Sequence, residues 1–551
     1  MQASGIVGAT LQLPPEIICY ARLVRPDTVT SIHNPPALSY HARVLIIIKS
    51  RVLLLLLLAS LLCACQDTPP SALRFGLQSA PLTLDPRFAT DAASARINRL
   101  LYRRLVEFDD RARPIPGIAT WQRLDATHYR FVLGNEGRAF HDGTRLTAAD
   151  VKATYDFILD PANASPHRSA LTLIDHITTP DAESVDFFLN RADELFPGYL
   201  VIGIVPAHLI AAKHGFEHAP IGSGPCALLA WPEEGRLQLQ RRADGRVIEF
   251  LSVADPTVRV LKLLRGEIDM LQNDLPPELV RYLETRPGIN VLHLRGSNFA
   301  YLGFNLQDPV LSRLDVRQAI AHAIDRQAII NTLLSNGARP ADALLPPEHW
   351  AGNGQLIAYR YDPPRARALL AKAGYTNSHP LHLTYKLSND PFRLRLATVL
   401  QSQLAAVGVD VRLQSYDWGT FYGDIKAGRF QLYSLAWVGI KTPDIFRYAF
   451  HSHSVPPDGA NRGHYNDAQA DQLIEQAESA TDSADQARLY QSLQAHLLAT
   501  LPVVPLWYED QVFAARADIN GYTLHSDGDY DGLLGTQRLS SVEGYTIPHT
   551  P

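Results

Sequence analysis

The chain has 551 residues with 51 Lys and Arg against 56 Asp and Glu, a formal charge of −5, and 46% of it is hydrophobic. That length allows two or three domains with a large core. The mild acidity leaves no basic footprint for nucleic acid, and four cysteines in so long a chain rule out a disulfide-built scaffold.

In chain order, residues 1–42 show no clear apolar period and carry prolines at 14, 15, 26, 35 and 36. The next methionine after Met1 is Met270, so residues 1–43 are expected not to be translated, with a non-AUG start near Val44 or Leu45. Lys49 and Arg51 lead into the apolar run Val52–Leu62, which is shorter than the roughly 20 residues a membrane span needs. Leu62-Cys63-Ala64-Cys65 closes it, and a charged start, an apolar core and a small-residue close make a secretory signal. The close resembles the lipobox of bacterial lipoproteins. That likeness implies a signal peptide over 44–64, lipidation of Cys65 as the new N-terminus, and a polar tether over 65–72. Residues 1–64 hold Arg22, Arg25, Arg43, Lys49 and Arg51 against Glu16 and Asp27, a net of +3, so the remainder moves from −5 to −8. Cys19 and Cys63 fall before the lipid site, which leaves Cys226 without a disulfide partner.

Leu73–Leu77 alternates as a strand does and runs into a turn-rich segment at Pro81–Pro86. Apolar Ile97, Leu101, Leu105 and Phe108 share one face and predict a helix over Ser94–Phe108. Thr127–Leu133 predicts a strand and Phe140–Thr144 a tight turn. Thr147 with Asp150 three residues on is a capping-box-like start for a helix through Leu159. Gly266 predicts a helix end leading into a strand, Asp315 an N-cap, and Gly374 a C-cap.

The ordered set LDP (84–86), FHDGTRLTAADVKATYDFIL (140–159), GSGP (222–225), DPTVRVLKLLRGEIDM (255–270), YLGFNL (301–306) and DVRQAIAHAIDRQAII (315–330) resembles the solute-binding proteins of peptide and nickel ABC transporters, family 5. YDPPRARALLAKAGY (361–375), the stretch Gln401–Tyr416 and LPVVPLWYED (501–510) continue it, so the likeness spans nearly all of the chain after Cys65. It implies an α/β fold of the periplasmic binding protein type II kind, with two lobes, a hinge, and an extra subdomain at about 90–220 in the first lobe. Lobe I would comprise 73–296 plus 511–551, and lobe II 297–510. The hinge closes on a ligand.

A ligand cleft has apolar and aromatic walls with a few placed polar groups. The resemblance puts Trp418, Trp437, Gly439 and Ile440 in lobe II, Tyr301 and Asn305 at the crossing, and Ser79, Ala80 and Leu82 facing them. Peptide-binding members carry an aspartate shortly after the second tryptophan that pairs with the ligand's α-amino group. Here that place holds Ile440, with Lys441 beside it and Asp444 four residues along. Binding of ordinary free-amine peptides is therefore not expected through this position, and modified peptides, sugars or other amphiphilic solutes stay open.

His451, His453 and His464 invite a metal reading, since imidazole binds nickel and zinc, but their Pro- and Gly-rich setting reads as a polar loop without a supporting cysteine set. Asp527–Gly532 matches the first half of a calcium loop, yet its twelfth position is Arg538 rather than Glu, so it reads as a turn. Ile221–Pro225 lacks the spacing of a nucleophile elbow, and the chain shows no zinc-protease or phosphate-loop motif. The sequence thus calls for no metal, no cofactor and no catalytic residue. It predicts a monomeric, lipid-anchored periplasmic receptor that takes a small or peptide-like solute to ABC permease subunits. The alternatives are an envelope sensor or chaperone-like receptor of the same fold without a transport partner, and binding of a nickel or other metal complex.

Overall fold

The computed structural model describes residues 72–539 apart from Ala358 and Asn377. The predicted leader, signal peptide and lipid site at Cys65 lie outside these residues. Among the described residues no helix is long and apolar enough to cross a membrane.

Leu73–Leu77 is a buried strand that pairs in parallel with Val247–Ser252 on one side and Met270–Gln272 on the other. The helix Pro256–Arg265 starts where Asp255 accepts the N–H of Val258 at 2.8 Å, with Pro256 in its first turn, and stops at Gly266, whose φ of +70° suits glycine. These local signals feed the chain back into the sheet at Met270. Arg236–Arg241 and Cys226–Glu233 extend this half outward as antiparallel strands.

Two long strands carry the sheet through the molecule. Ile289–Phe304 and Val503–Arg516 run antiparallel from the pair Ile289 and Arg516 to the pair Gly303 and Val503, with an irregularity between Leu294 and Asn298. Gly296 sits at that bulge, where a Cβ would collide with the Glu509 carbonyl oxygen. Beyond the crossing, the sheet continues through Leu432–Trp437, Leu381–Ser388 and Val409–Tyr416, while Ala338–Pro340 pairs against the returning long strand.

The cores sort by chain segment. One gathers Phe75, Ile97, Leu239 and Phe250 with Phe513 and Tyr530 from the C-terminal part. A second, from Leu105 to Ile204, lies under a four-stranded sheet whose order is Ala119–Asp125, His128–Leu133, Ser184–Leu189 and Ile174–Thr178. The remaining two large cores draw on residues between Phe299 and Tyr508, joined by Leu195 from the first half. We refer to these two halves as the first and second lobes.

Two element predictions need correction. The helix expected over Ser94–Phe108 is Ala92–Leu101, because the chain turns extended at Tyr102 and Val106–Phe108 pairs as a strand with Pro114–Pro116. Leu105 kept the helical period only because it is buried in the second core. Asp315 lies inside the first turn of Leu314–Ala323, whose N-cap is Arg313. The helix Ala148–Leu159 starts as predicted, the Asp150 carboxylate accepting the Thr147 N–H at 2.7 Å.

Candidate functional site

A cavity of about 670 Å³ opens between the lobes, a volume that suits a small solute. The first lobe lines it with Ser79 just past its opening strand, Arg96, Asp274 and Tyr530, and the second with Phe392, Arg393 and Val438. Asn298, Glu509 and Asp510 of the crossing strands form the floor. Both signs of charge are present. Arg393 Nη1 lies 3.5 Å from Glu509 Oε1, and the Arg96 guanidinium sits 5.5 Å from the Tyr530 ring centroid. Burial pushes the carboxyls of Asp274 and Asp510 up, against the opposing pull of nearby arginines. Apolar walls with acids and guanidinium groups suit an amphiphilic ligand.

Beside the cavity the second lobe carries an aromatic ladder built around one cation. Trp437 ends the strand Leu432–Trp437, stacks on Tyr301 at 6.4 Å and meets Tyr448 edge-on at 6.1 Å. The Arg462 guanidinium lies 4.9 Å from the Trp437 ring and donates to the hydroxyls of Tyr301 at 3.0 Å and Tyr422 at 3.2 Å. Trp418, at the start of a helix capped by Asp417, stacks on Tyr422 at 5.4 Å and is 57% exposed. Arg462 is only 7% exposed and makes no ion pair among the described residues. Ring faces and phenol oxygens take the place of a carboxylate. A void of about 20 Å³ beside Arg462, Tyr301 and Trp437 has room for about one water.

Of the residues singled out in the sequence, Trp418, Trp437 and Tyr301 therefore meet in one ladder, and Ser79 lines the cavity. Tyr301 is buried beneath Trp437 rather than presented to solvent. Gly439 turns the chain at φ +70° and Ile440 packs onto the second-lobe core. Asn305 ties two distant segments together: its Nδ2 donates to the carbonyls of Gly428 and Phe430, and its Oδ1 accepts from Gln307. Ala80 is half-buried, while Leu82 is 76% exposed, its N–H held by Ser94 Oγ, and neither lines the cavity. Asp444 accepts from Thr442 and faces Glu478, and burial pushes its carboxyl up to about 6. It does not line the cavity.

His451 is buried, with Nε2 3.2 Å from Glu475 and Nδ1 accepting the N–H of His453. Among the described residues no group of three or more His, Cys, Asp or Glu is placed to hold a metal ion. Cys226 is buried, and burial pushes its thiol up to about 12. Sequence reasoning missed Arg462, Tyr422 and Tyr448, and also Arg96, Asp274 and Arg393. Arg462 stands in a polar loop beside His464, and nothing local signals that a tryptophan 25 positions earlier lies against it.

A two-lobed α/β body, joined by two crossing strands over a ligand-sized cleft, is the architecture of a type II periplasmic binding protein. Residues 113–458 match the bacterial extracellular solute-binding proteins, family 5 (middle), and the chain belongs to that family. It is 26% identical over 497 residues to the dipeptide-binding protein of Escherichia coli (strain K12), covering 82% of this chain and 92% of that one. It is also 26% identical over 506 residues to heme-binding protein A of Haemophilus influenzae, covering 84% and 91%. Its fold matches the crystal structure of NikZ from Campylobacter jejuni in complex with Ni(L-His), with a TM-score of 0.74 at 23% identity, over 85% of this chain and all of that one.

Proposed function

We propose that the chain is a lipid-anchored receptor of an ABC importer, which captures a small or peptide-like solute between its lobes and hands it to a permease. The observation that carries this is the cavity of about 670 Å³ whose walls come from both lobes and whose floor is the pair of crossing strands. A ligand held on both walls favours the closed form, and closure is the signal a permease can read. Residues 73–296 with 511–551 act as lobe I and 297–510 as lobe II, and the protein works as a monomer in the periplasm. Cys65 supplies the anchor. Relatives named for dipeptide and heme leave the cargo open, and the mixed charges with aromatic surface favour an amphiphilic solute.

Native mass spectrometry of the purified protein tests the reading by identifying the co-purifying solute, with solution scattering before and after its removal. Compaction on adding the solute back supports it. A protein that carries no solute and keeps one shape with candidate cargoes overturns it. Changing Cys65 to Ser should release the protein from membranes, and retention would refute the anchor.

A further inference from the structure

Lys441 belongs to the second lobe, one residue past Ile440, which packs on that lobe's core. Its Nζ lies 2.6 Å from Asp527 Oδ2 and 2.9 Å from Asp529 Oδ2. Both acids flank a loop whose Tyr530 and Leu533 are buried in the core of the first lobe. The Phe108 ring, also of the first lobe, lies 5.6 Å from the same ammonium. The loop is the Asp527-Gly528-Asp529-Tyr530-Asp531-Gly532 motif. Its third acid, Asp531, pairs with Arg99 at 2.7 Å, and Arg99 also reaches Asp529 at 2.9 Å and Glu107 at 3.2 Å. Arg104 holds Glu107 from the other side.

Among the described residues of the first lobe, Asp527, Asp529, Asp531 and Glu107 face Arg99 and Arg104, with Arg96 also near Asp529, and Lys441 brings a further cation from the other lobe. Burial opposes the charge on Asp527, yet Lys441 holds its carboxyl well below the usual carboxylate range. Asp527 is half-buried and Asp529 buried, and although Arg99 reaches Asp529, two adjacent acids withdrawn from water are costly without a further cation between them.

We propose that Lys441 is an interlobe latch, a built-in ammonium that occupies the Asp527 and Asp529 pair when the lobes meet. The lobes are thereby bridged by the chain itself. The proposal rests on the receptor reading only in that lobe closure accompanies binding.

The test uses solute-stripped protein carrying spin labels on the two lobes, with interlobe distances measured for wild type, Lys441→Ala and Lys441→Met. Close interfacial charge pairs couple strongly, so the open population should rise about tenfold or more in both variants. Millimolar n-butylammonium should restore the closed distance in Lys441→Ala, and tetramethylammonium, which has no N–H, should not. Combining Lys441→Asp with Asp527→Lys should restore closure in part. Wild-type distances in Lys441→Ala, or no difference between the two ammonium ions, would overturn the proposal. Because no solute is present, a failed latch leaves the receptor reading intact. An intact latch in a protein that binds nothing sinks that reading alone.

Discussion

Asp193 offers a sharp test of how the segment that carries the four-stranded sheet meets the second lobe. Its side chain is 1% exposed, accepts the Leu195 N–H at 2.9 Å and the Tyr199 hydroxyl at 3.3 Å, and faces Glu478. Glu478 is itself held by Arg447 at 2.7 Å and Arg191 at 3.2 Å. Burial, and then the charge of Glu478, push the Asp193 carboxyl from 3.8 up to about 6. Between those pH values the folded protein holds a proton that the unfolded chain has released. Stability from this group is therefore fully present below pH about 4 and is lost as pH rises through about 6. The two-unit gap corresponds to about 3 kcal/mol at pH 7, an upper figure because Arg191 can relax toward the charge. Asp193→Asn keeps the shape and the acceptor for Leu195 but cannot ionise. We expect it to be more stable than wild type at pH 7 by up to about 3 kcal/mol, with the advantage gone by pH 4. Urea unfolding of both proteins at pH 4, 5, 6 and 7 reads the difference directly. A difference that does not change with pH would refute the assignment of a raised Asp193.

Trp437→Ala removes a ring that stacks on Tyr301 and lies against Arg462, and should cost about 2 kcal/mol of stability while weakening solute binding several-fold. Near-unchanged affinity for the co-purified solute would remove it from the site. Arg462→Met should lose about 2 to 3 kcal/mol through two charge-assisted hydrogen bonds and two ring contacts, and Tyr301→Phe about 1 kcal/mol. A double-mutant cycle with no coupling between them would mean that their 3.0 Å contact contributes nothing. Free-amine dipeptides should give weak or no heat in calorimetry, whereas micromolar binding would assign the amine to another acid, Asp274 being the first to mutate.

The parts of the fold that could be read from the sequence are those set by neighbours along the chain. Asp255 with Gly266, or Thr147 with Asp150, decide a helix start or stop within a few residues, so their outcome is written locally. The helix expected to Phe108 overran because Leu105 keeps the period while belonging to a different core. The candidate site depended on long-range pairing. Trp418, Trp437 and Tyr301 could be named, but what joins them is Arg462, 161 positions from Tyr301. Asn305 and Leu82 are residues of suitable type whose polar groups are committed elsewhere, Asn305 to the carbonyls of Gly428 and Phe430 and the Leu82 N–H to Ser94. The acid-rich motif at 527–532 read as a turn because its partner Lys441 is more than eighty residues away.

The two crossing strands also bear on mechanics. They are laddered to each other on both sides of the bulge at Gly296, so they cannot swivel independently as two free linkers would. Rotation is confined to twisting or bending one double-stranded leaf, softest where the hydrogen-bond register breaks between Leu294 and Asn298. Such a leaf returns elastically, and so the opening angle is set by the stiffness of the segment around the bulge. A substitution at Gly296 or Ser297, neither of which lines the cavity, would retune the amplitude and speed of opening.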